Sequence, residues 1–132
     1  MNLIKRNIET HKQGMYDITN AIKDAVSKSD VKSGLVVIYT PHTTCGITIN
    51  ENADPDVLLD VIHGLNVISP NRKTYKHNEG NSDAHIKSSI VGANETLIIE
   101  DGKIVLGQWQ GIYLLEFDGP RNRTYYIKVI AG

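Results

Sequence analysis

Glu95-Thr96-Leu97-Ile98-Ile99-Glu100-Asp101-Gly102-Lys103-Ile104-Val105-Leu106 is the stretch on which the fold class turns. Polar and apolar residues alternate from Glu95 to Glu100 around Leu97 and Ile99. Asp-Gly is the dipeptide that a two-residue hairpin favours, and Lys103 to Leu106 is the returning strand. Two further strands, Gly111 to Phe117 and Tyr125 to Ile130, flank the connection Asp118-Gly119-Pro120-Arg121-Asn122-Arg123. The C-terminal part of the chain thus reads as an antiparallel sheet.

Upstream the pattern alternates with helices. A first strand is expected over residues 2–9. Ile18, Ala21, Ile22, Ala25 and Val26 then lie on one face of an amphipathic helix from Asp17 to Ser29. Leu35 to Tyr39 is a short β-branched run between Gly34 and Pro41, as a buried strand requires, and Gly46 to Asn50 alternates as the next. Asp54-Pro55-Asp56 starts a helix: a side chain that caps free N–H groups, a proline at the first helical position, and an anion in the first turn. That helix is expected to run to about Gly64. A long polar connection, 69–82, leads to a shorter helix capped by Ser82 or Asp83 and ended by Gly92. The count is seven strands and three helices, an α+β pattern, in a single domain spanning residues 1–132.

Composition narrows the function. The 132 residues carry 14 basic and 15 acidic side chains, a formal charge of -1, scattered without blocks. Nucleic-acid binding is disfavoured, because backbone-dominated affinity needs clustered Lys and Arg. No window approaches a membrane span, and the start lacks the apolar run of a signal peptide. The single Cys45 fits a reducing compartment, and the cytoplasm is the expected location.

Chemistry concentrates between His42 and His85. His42, His77 and His85 could serve as metal ligands or proton shuttles if the fold brings them together, although their spacings of 35 and 8 residues match no compact zinc motif. Isolated or hydrogen-bonded histidines are the plain alternative. Glu51, Asp54 and Asp56, with Asn50 and Asn52, could hold magnesium and a diphosphate, or act only as local caps. If Ser82 or Asp83 caps the third helix, the N–H groups of Ala84, His85 and Ile86 form an anion pocket, with Lys87, Ser88 and Ser89 nearby. Gly107-Gln108-Trp109-Gln110-Gly111 suggests a bulge or close approach around the single Trp. Cys45 reads as a small buried residue, with no base and orienting group to make it a nucleophile.

The motifs Pro41-His42-Thr43-Thr44-x-x-Ile47-Thr48-Ile49-Asn50-Glu51-Asn52-x-Asp54-Pro55, His77-Asn78 with Ala84-His85-Ile86-Lys87-Ser88-Ser89, and Gly107-x-Trp109-Gln110-Gly111-Ile112 together resemble the YjbQ-like family. To that family of small proteins a secondary thiamine-phosphate synthase activity has been ascribed. The resemblance covers nearly the whole chain, with Cys45 and Gln108 as departures at positions where Ala or Ser, and Thr, are usual. It implies a seven-stranded, two-sheet β-sandwich with intercalated helices, assembled as a homotrimer. It also implies that His42, Glu51, Asp54, His77, Asp83 and His85 form the polar cluster of a site beside Trp109-Gln110.

The ascribed reaction joins a pyrimidine methyl diphosphate to a thiazole phosphate and releases pyrophosphate. On that reading Glu51, Asp54 and Asp83 are the catalytic acids, and His42, His77 and His85 hold zinc or magnesium. Lys87, Ser88 and Arg123 contact a phosphorylated or anionic ligand. The alternatives are a metal-dependent hydrolase built on the same three histidines and a non-enzymatic trimer that binds a metal or anion.

Overall fold

The computed structural model describes residues 3–132; Asn2, where the expected first strand begins, lies outside them. In chain order the elements are β1 (Leu3–Thr10), β2 (Gly14–Asp17), α1 (Thr19–Ser29), β3 (Gly34–Tyr39), β4 (Cys45–Glu51) and α2 (Pro55–Ile68). There follow α3 (Ser82–Val91), β5 (Asn94–Glu100), β6 (Lys103–Ile104), β7 (Gln110–Glu116) and β8 (Arg121–Ala131). The strands form a five-stranded sheet, β1-β8-β3-β5-β6, and a three-stranded sheet, β2-β7-β4. Every recorded pairing is antiparallel.

Side-chain alternation along β7 sets the layers. Ile112 and Leu114 join Val36, Ile38, Ile99, Ile127 and Val129 of the larger sheet, with Ile22, Ala25 and Val26 of α1, in the main core. Tyr113 and Leu115, on the other face, pack with Phe117, Leu65 of α2 and Ala84 of α3 in a second core. The smaller sheet is therefore covered on both faces, which explains why Gly111 to Phe117 reads as an unbroken buried run.

The α+β class follows the sequence, but the described residues form eight strands where the periodicity predicts seven. The addition is β2, whose four residues are too short to show a period and contain Gly14 and Asp17. It exists because β7 offers an edge, Met15 pairing with Leu115 and Tyr16 with Leu114. Asp101 and Gly102 both have positive φ, 52° and 75°, as the Asp-Gly hairpin demands. The returning strand stops at Ile104 rather than Leu106, and α2 continues past Gly64 to Ile68. β8 begins at Arg121, inside the expected loop, because its first residues pair with β1.

Asp54 caps α2 as predicted, its Oδ1 accepting the Asp56 N–H at 2.9 Å. The cap of α3 differs: Asn81 occupies the position without a side-chain cap bond. Its carbonyl accepts from Ala84 N at 3.0 Å and His85 N at 3.4 Å, so two of the N–H groups expected to face an anion are engaged in the helix.

The C-terminus of α3 is held close to β4 by the Ile47 N–H donating to Gly92 O at 3.1 Å. A Cβ at Gly46 would lie 2.9 Å from Gly92 O and from Val91 Cγ1. Gly46→Ala is expected to lower stability by about 1–3 kcal/mol in urea unfolding, through overpacking against a backbone that the sheet fixes. An unchanged midpoint would show that α3 can shift freely.

Candidate functional site

Two charged residues sit where the alternation places core side chains. Glu116 follows Ile112 and Leu114 on the inward face of β7, and Arg123 precedes Tyr125, Ile127 and Val129 on that of β8. Glu116 is 0% exposed and Arg123 4%. Arg123 Nε donates to Glu116 Oε1 at 2.7 Å and its Nη2 to Glu116 Oε2, a bidentate pair. Nη2 also donates to Thr44 Oγ1 at 2.8 Å and Thr44 O at 3.1 Å. The Thr10 hydroxyl and the Asp118 N–H donate to the carboxylate at 2.6 and 2.8 Å. Burial by itself would push the Glu116 carboxyl up, but the donors from Arg123, Thr10 and Asp118 together hold it below the usual carboxylate range.

This network floors a pocket of about 340 Å³ at the end of the sandwich where β7 turns into β8. Thr43, Thr44, Arg121 and Arg123 line one part of it, and His77, Glu79, Asn81 and His85 another, with Asp118 between them in the connection. The His77 and His85 rings meet edge to face, centroids 5.5 Å apart at 88°. Glu79 Oε1 is 3.9 Å from His77 Nε2. Asp118 Oδ2 accepts from Asn81 Nδ2 at 2.8 Å and from Arg121 Nη2 at 2.9 Å. These bonds outweigh burial and hold the Asp118 carboxyl below its ordinary range. Because the Asn81 amide nitrogen faces a carboxylate, its oxygen is fixed the other way, and that Oδ1 is buried without a hydrogen-bond partner.

Of the residues that the sequence nominates, only His77, His85 and Arg123 line this pocket. His42 does not join the other histidines. β3 ends at Tyr39, so the backbone of Thr124 on β8 lacks a strand neighbour there. His42 Nε2 accepts its N–H at 2.9 Å, and the Thr40 hydroxyl donates to its carbonyl at 3.0 Å. Among the described residues no group of three or more His, Cys, Asp or Glu side chains could hold a metal ion.

The expected catalytic acids are elsewhere. Glu51 Oε2 accepts from the N–H groups of Ala53 and Asp54, both at 3.1 Å, and Asp54 caps α2. They lie at the far end of β4 from Thr44, roughly 20 Å away for a strand of that length. Asp83 accepts from Lys87 Nζ at 3.4 Å. Lys87 is 2% exposed, and the Ser88 hydroxyl donates to Cys45 O at 2.6 Å, so both are engaged inside the fold. Sequence reasoning missed Asn81, Asp118 and Arg121 as lining residues, and Glu116 as the support of Arg123. The available signal was a charge, Glu116, inside an otherwise apolar strand.

The family pattern described as UPF0047 protein YjbQ-like matches residues 5–132. The chain belongs to the YjbQ-like family. It is 57% identical over 130 residues to a UPF0047 protein of Methanocaldococcus jannaschii, covering 98% of this chain and 94% of that one. Identity to the UPF0047 protein YugU of Bacillus subtilis is 49% over 123 residues, 92% and 93% of the two chains. A crystal structure of an uncharacterized YjbQ/UPF0047 family protein from Clostridium acetobutylicum superposes with a TM-score of 0.94 at 52% identity, covering 96% of this chain and 99% of that one. This YjbQ-like chain thus shares both its fold and much of its sequence with proteins from archaea and bacteria.

His42 yields a pH prediction. Burial, and then the Arg123 charge, lower its pKa, with Glu116 opposing. A histidine depressed in the folded state contributes stability above its unfolded pKa of about 6.5, and that stability is lost as pH falls. Between about pH 7.5 and about pH 5.5 the urea midpoint should fall further for the native chain than for His42→Gln. Parallel pH profiles would contradict the assignment.

Proposed function

We propose that the YjbQ-like chain is a small-molecule enzyme that holds the phosphate of its substrate in the His77/His85 pocket, with thiamine-phosphate synthase chemistry as a secondary activity. The observation that carries this reading is the convergence of two imidazoles with the guanidinium groups of Arg121 and Arg123 in one pocket. Arg123 keeps Nη1 clear of its bonds to Glu116 and Thr44. A guanidinium fixed in advance and imidazole N–H donors suit a phosphate or diphosphate, because no reorganisation is needed when the anion arrives. Glu79 and Asp118 temper that positive field, which accords with a weak rather than a dedicated diphosphate site.

In the transferase reaction the thiazole nitrogen attacks the methylene carbon of the pyrimidine, forming a C–N bond. The C–O bond to the diphosphate breaks, and pyrophosphate leaves with the electron pair. The pocket would stabilise the charge that accumulates on that leaving group. Glu51 and Asp54 do not fit a magnesium site shared with the histidines, since their carboxylates are committed at the other end of β4.

A second reading rests on the unpartnered Oδ1 of Asn81, a residue that lines the same pocket as His77 and His85. His77, His85 and Asn81 would hold a divalent ion such as zinc, which would supply an activated water for hydrolysis. In both readings the chain acts as a homotrimer in the cytoplasm. Leu35, Tyr39, Ile98 and Ile130, each 41–57% exposed on the outer face of the larger sheet, support assembly. The single, buried Cys45 suits a reducing compartment. No described helix is long and apolar enough to cross a membrane.

The test combines elemental analysis of untagged protein with pyrophosphate release from a pyrimidine methyl diphosphate and a thiazole phosphate. Slow turnover that falls about tenfold or more in folded His85→Gln and Arg121→Gln, and survives in His42→Gln, supports the transferase reading. About one zinc ion per chain, lost in His77→Ala and His85→Ala but kept in His42→Gln, with phosphoester hydrolysis and no transfer, supports the hydrolase instead. Saturable pyrophosphate binding without turnover of either kind would leave a binding protein and overturn both.

A further inference from the structure

A hollow larger than the histidine pocket lies away from it. About 630 Å³ opens between α1, β6 and the segment 107–110, at the end of the smaller sheet where Asn52 follows β4. Val26, Ile104 and Leu106 make part of its lining apolar. Lys23 projects from α1 and Lys103 from β6, and no carboxylate lines the hollow. Among the described residues neither lysine forms an ion pair, whereas Lys28, Lys32 and Lys87 all do. In a chain of net charge -1 that leaves a local excess of two positive charges over an apolar surface.

The wall opposite α1 is fixed by its own hydrogen bonds. Gln110 N donates to Gly107 O at 3.1 Å, and Gln110 Oε1 accepts from Gly107 N at 2.8 Å. Asn52 N donates to Trp109 O at 3.0 Å, while Asn52 Nδ2 reaches Gln108 O and Gln110 O at 3.1 and 2.9 Å. These contacts orient the loop before any ligand arrives, and they leave the Gln110 amide nitrogen as a donor at the rim. A preformed, partly apolar hollow of this size with a few polar groups has the character of a small-molecule site.

We propose that this hollow binds a small organic anion in which one phosphate or carboxylate head is joined to an aromatic or aliphatic body. Lys23 and Lys103 receive the head, and Ile104 and Leu106 receive the body. Each exposed ammonium attracts an anion weakly by itself. Inorganic phosphate or a neutral apolar compound alone therefore binds poorly in this hollow, and affinity there requires both halves in one molecule. The site is separate from the histidine pocket and does not depend on the function proposed there.

Trp109, the single tryptophan and 60% exposed, does not line the hollow itself but stands between the lining residues Gln108 and Gln110, so its emission follows changes in that loop. Phenyl phosphate, benzoate, inorganic phosphate and benzyl alcohol are titrated against the full chain by tryptophan emission and calorimetry. Phenyl phosphate or benzoate should bind saturably and at least about tenfold tighter than inorganic phosphate or benzyl alcohol. Whichever of the two binds more tightly identifies the preferred head group. The Lys23→Gln/Lys103→Gln variant should lose about tenfold or more in affinity with an unchanged melting temperature, since both side chains are exposed. His77→Gln/His85→Gln should bind as the native chain does. Unaltered affinity in the lysine variant, loss of binding in the histidine variant, or no advantage of the amphiphilic anions over their parts would overturn the proposal.

Discussion

Glu116 and Arg123 place a full ion pair inside a sandwich whose other inward positions on β7 and β8 are apolar or aromatic. Taking both charges out of water costs several kcal/mol per ion even after relaxation, and mutual attraction alone does not reliably offset it. Here the carboxylate accepts from a guanidinium, a threonine hydroxyl and a backbone N–H, and the guanidinium also reaches both oxygens of Thr44. The hydrogen-bonding partners come from the end of β1, the approach to β4, the β7–β8 connection and β8 itself. One salt bridge thereby ties together the strand ends around the pocket mouth, and it determines which part of Arg123 remains to face the pocket.

The pocket inherits its geometry from that constraint. Asp118 donates its backbone N–H to Glu116 and uses its side chain to hold Asn81 and Arg121. Asn81 in turn begins α3, which carries His85 toward His77. Charge, turn and helix start form a continuous chain of contacts from the core to the imidazole pair. Substituting lysine for Arg123 would retain the charge yet lose the planar fork that reaches Glu116 and Thr44 together.

Much of the fold was legible because local rules and tertiary packing agree. Asp101-Gly102 adopts the two positive φ values its composition favours, Asp54-Pro55 begins a helix, and Gly111 to Phe117 is buried on both faces. The site was less legible. Glu51 and Asp54 fall between His42 and His77 in sequence, but the length of β4 carries them to the opposite end of the sheet. His42 adjoins Thr43 and Thr44, yet its ring turns to satisfy a β8 N–H that becomes available only when β3 stops short of Thr124. Asn81, Asp118 and Arg121 look like ordinary turn residues until the β7–β8 connection folds over the 77–85 segment. Proximity in sequence was a poor guide because the strands transport neighbouring motifs to different ends of the sandwich.

The most direct test of this account is a double-mutant cycle on the buried pair, with Glu116→Gln, Arg123→Met and the double variant compared by equilibrium urea unfolding. Each single change should cost about 3–5 kcal/mol by leaving a charge unpaired in the core, and the double variant should cost clearly less than the two together. Small single effects that simply add would contradict the claim that this pair organises the end of the sandwich and the pocket above it.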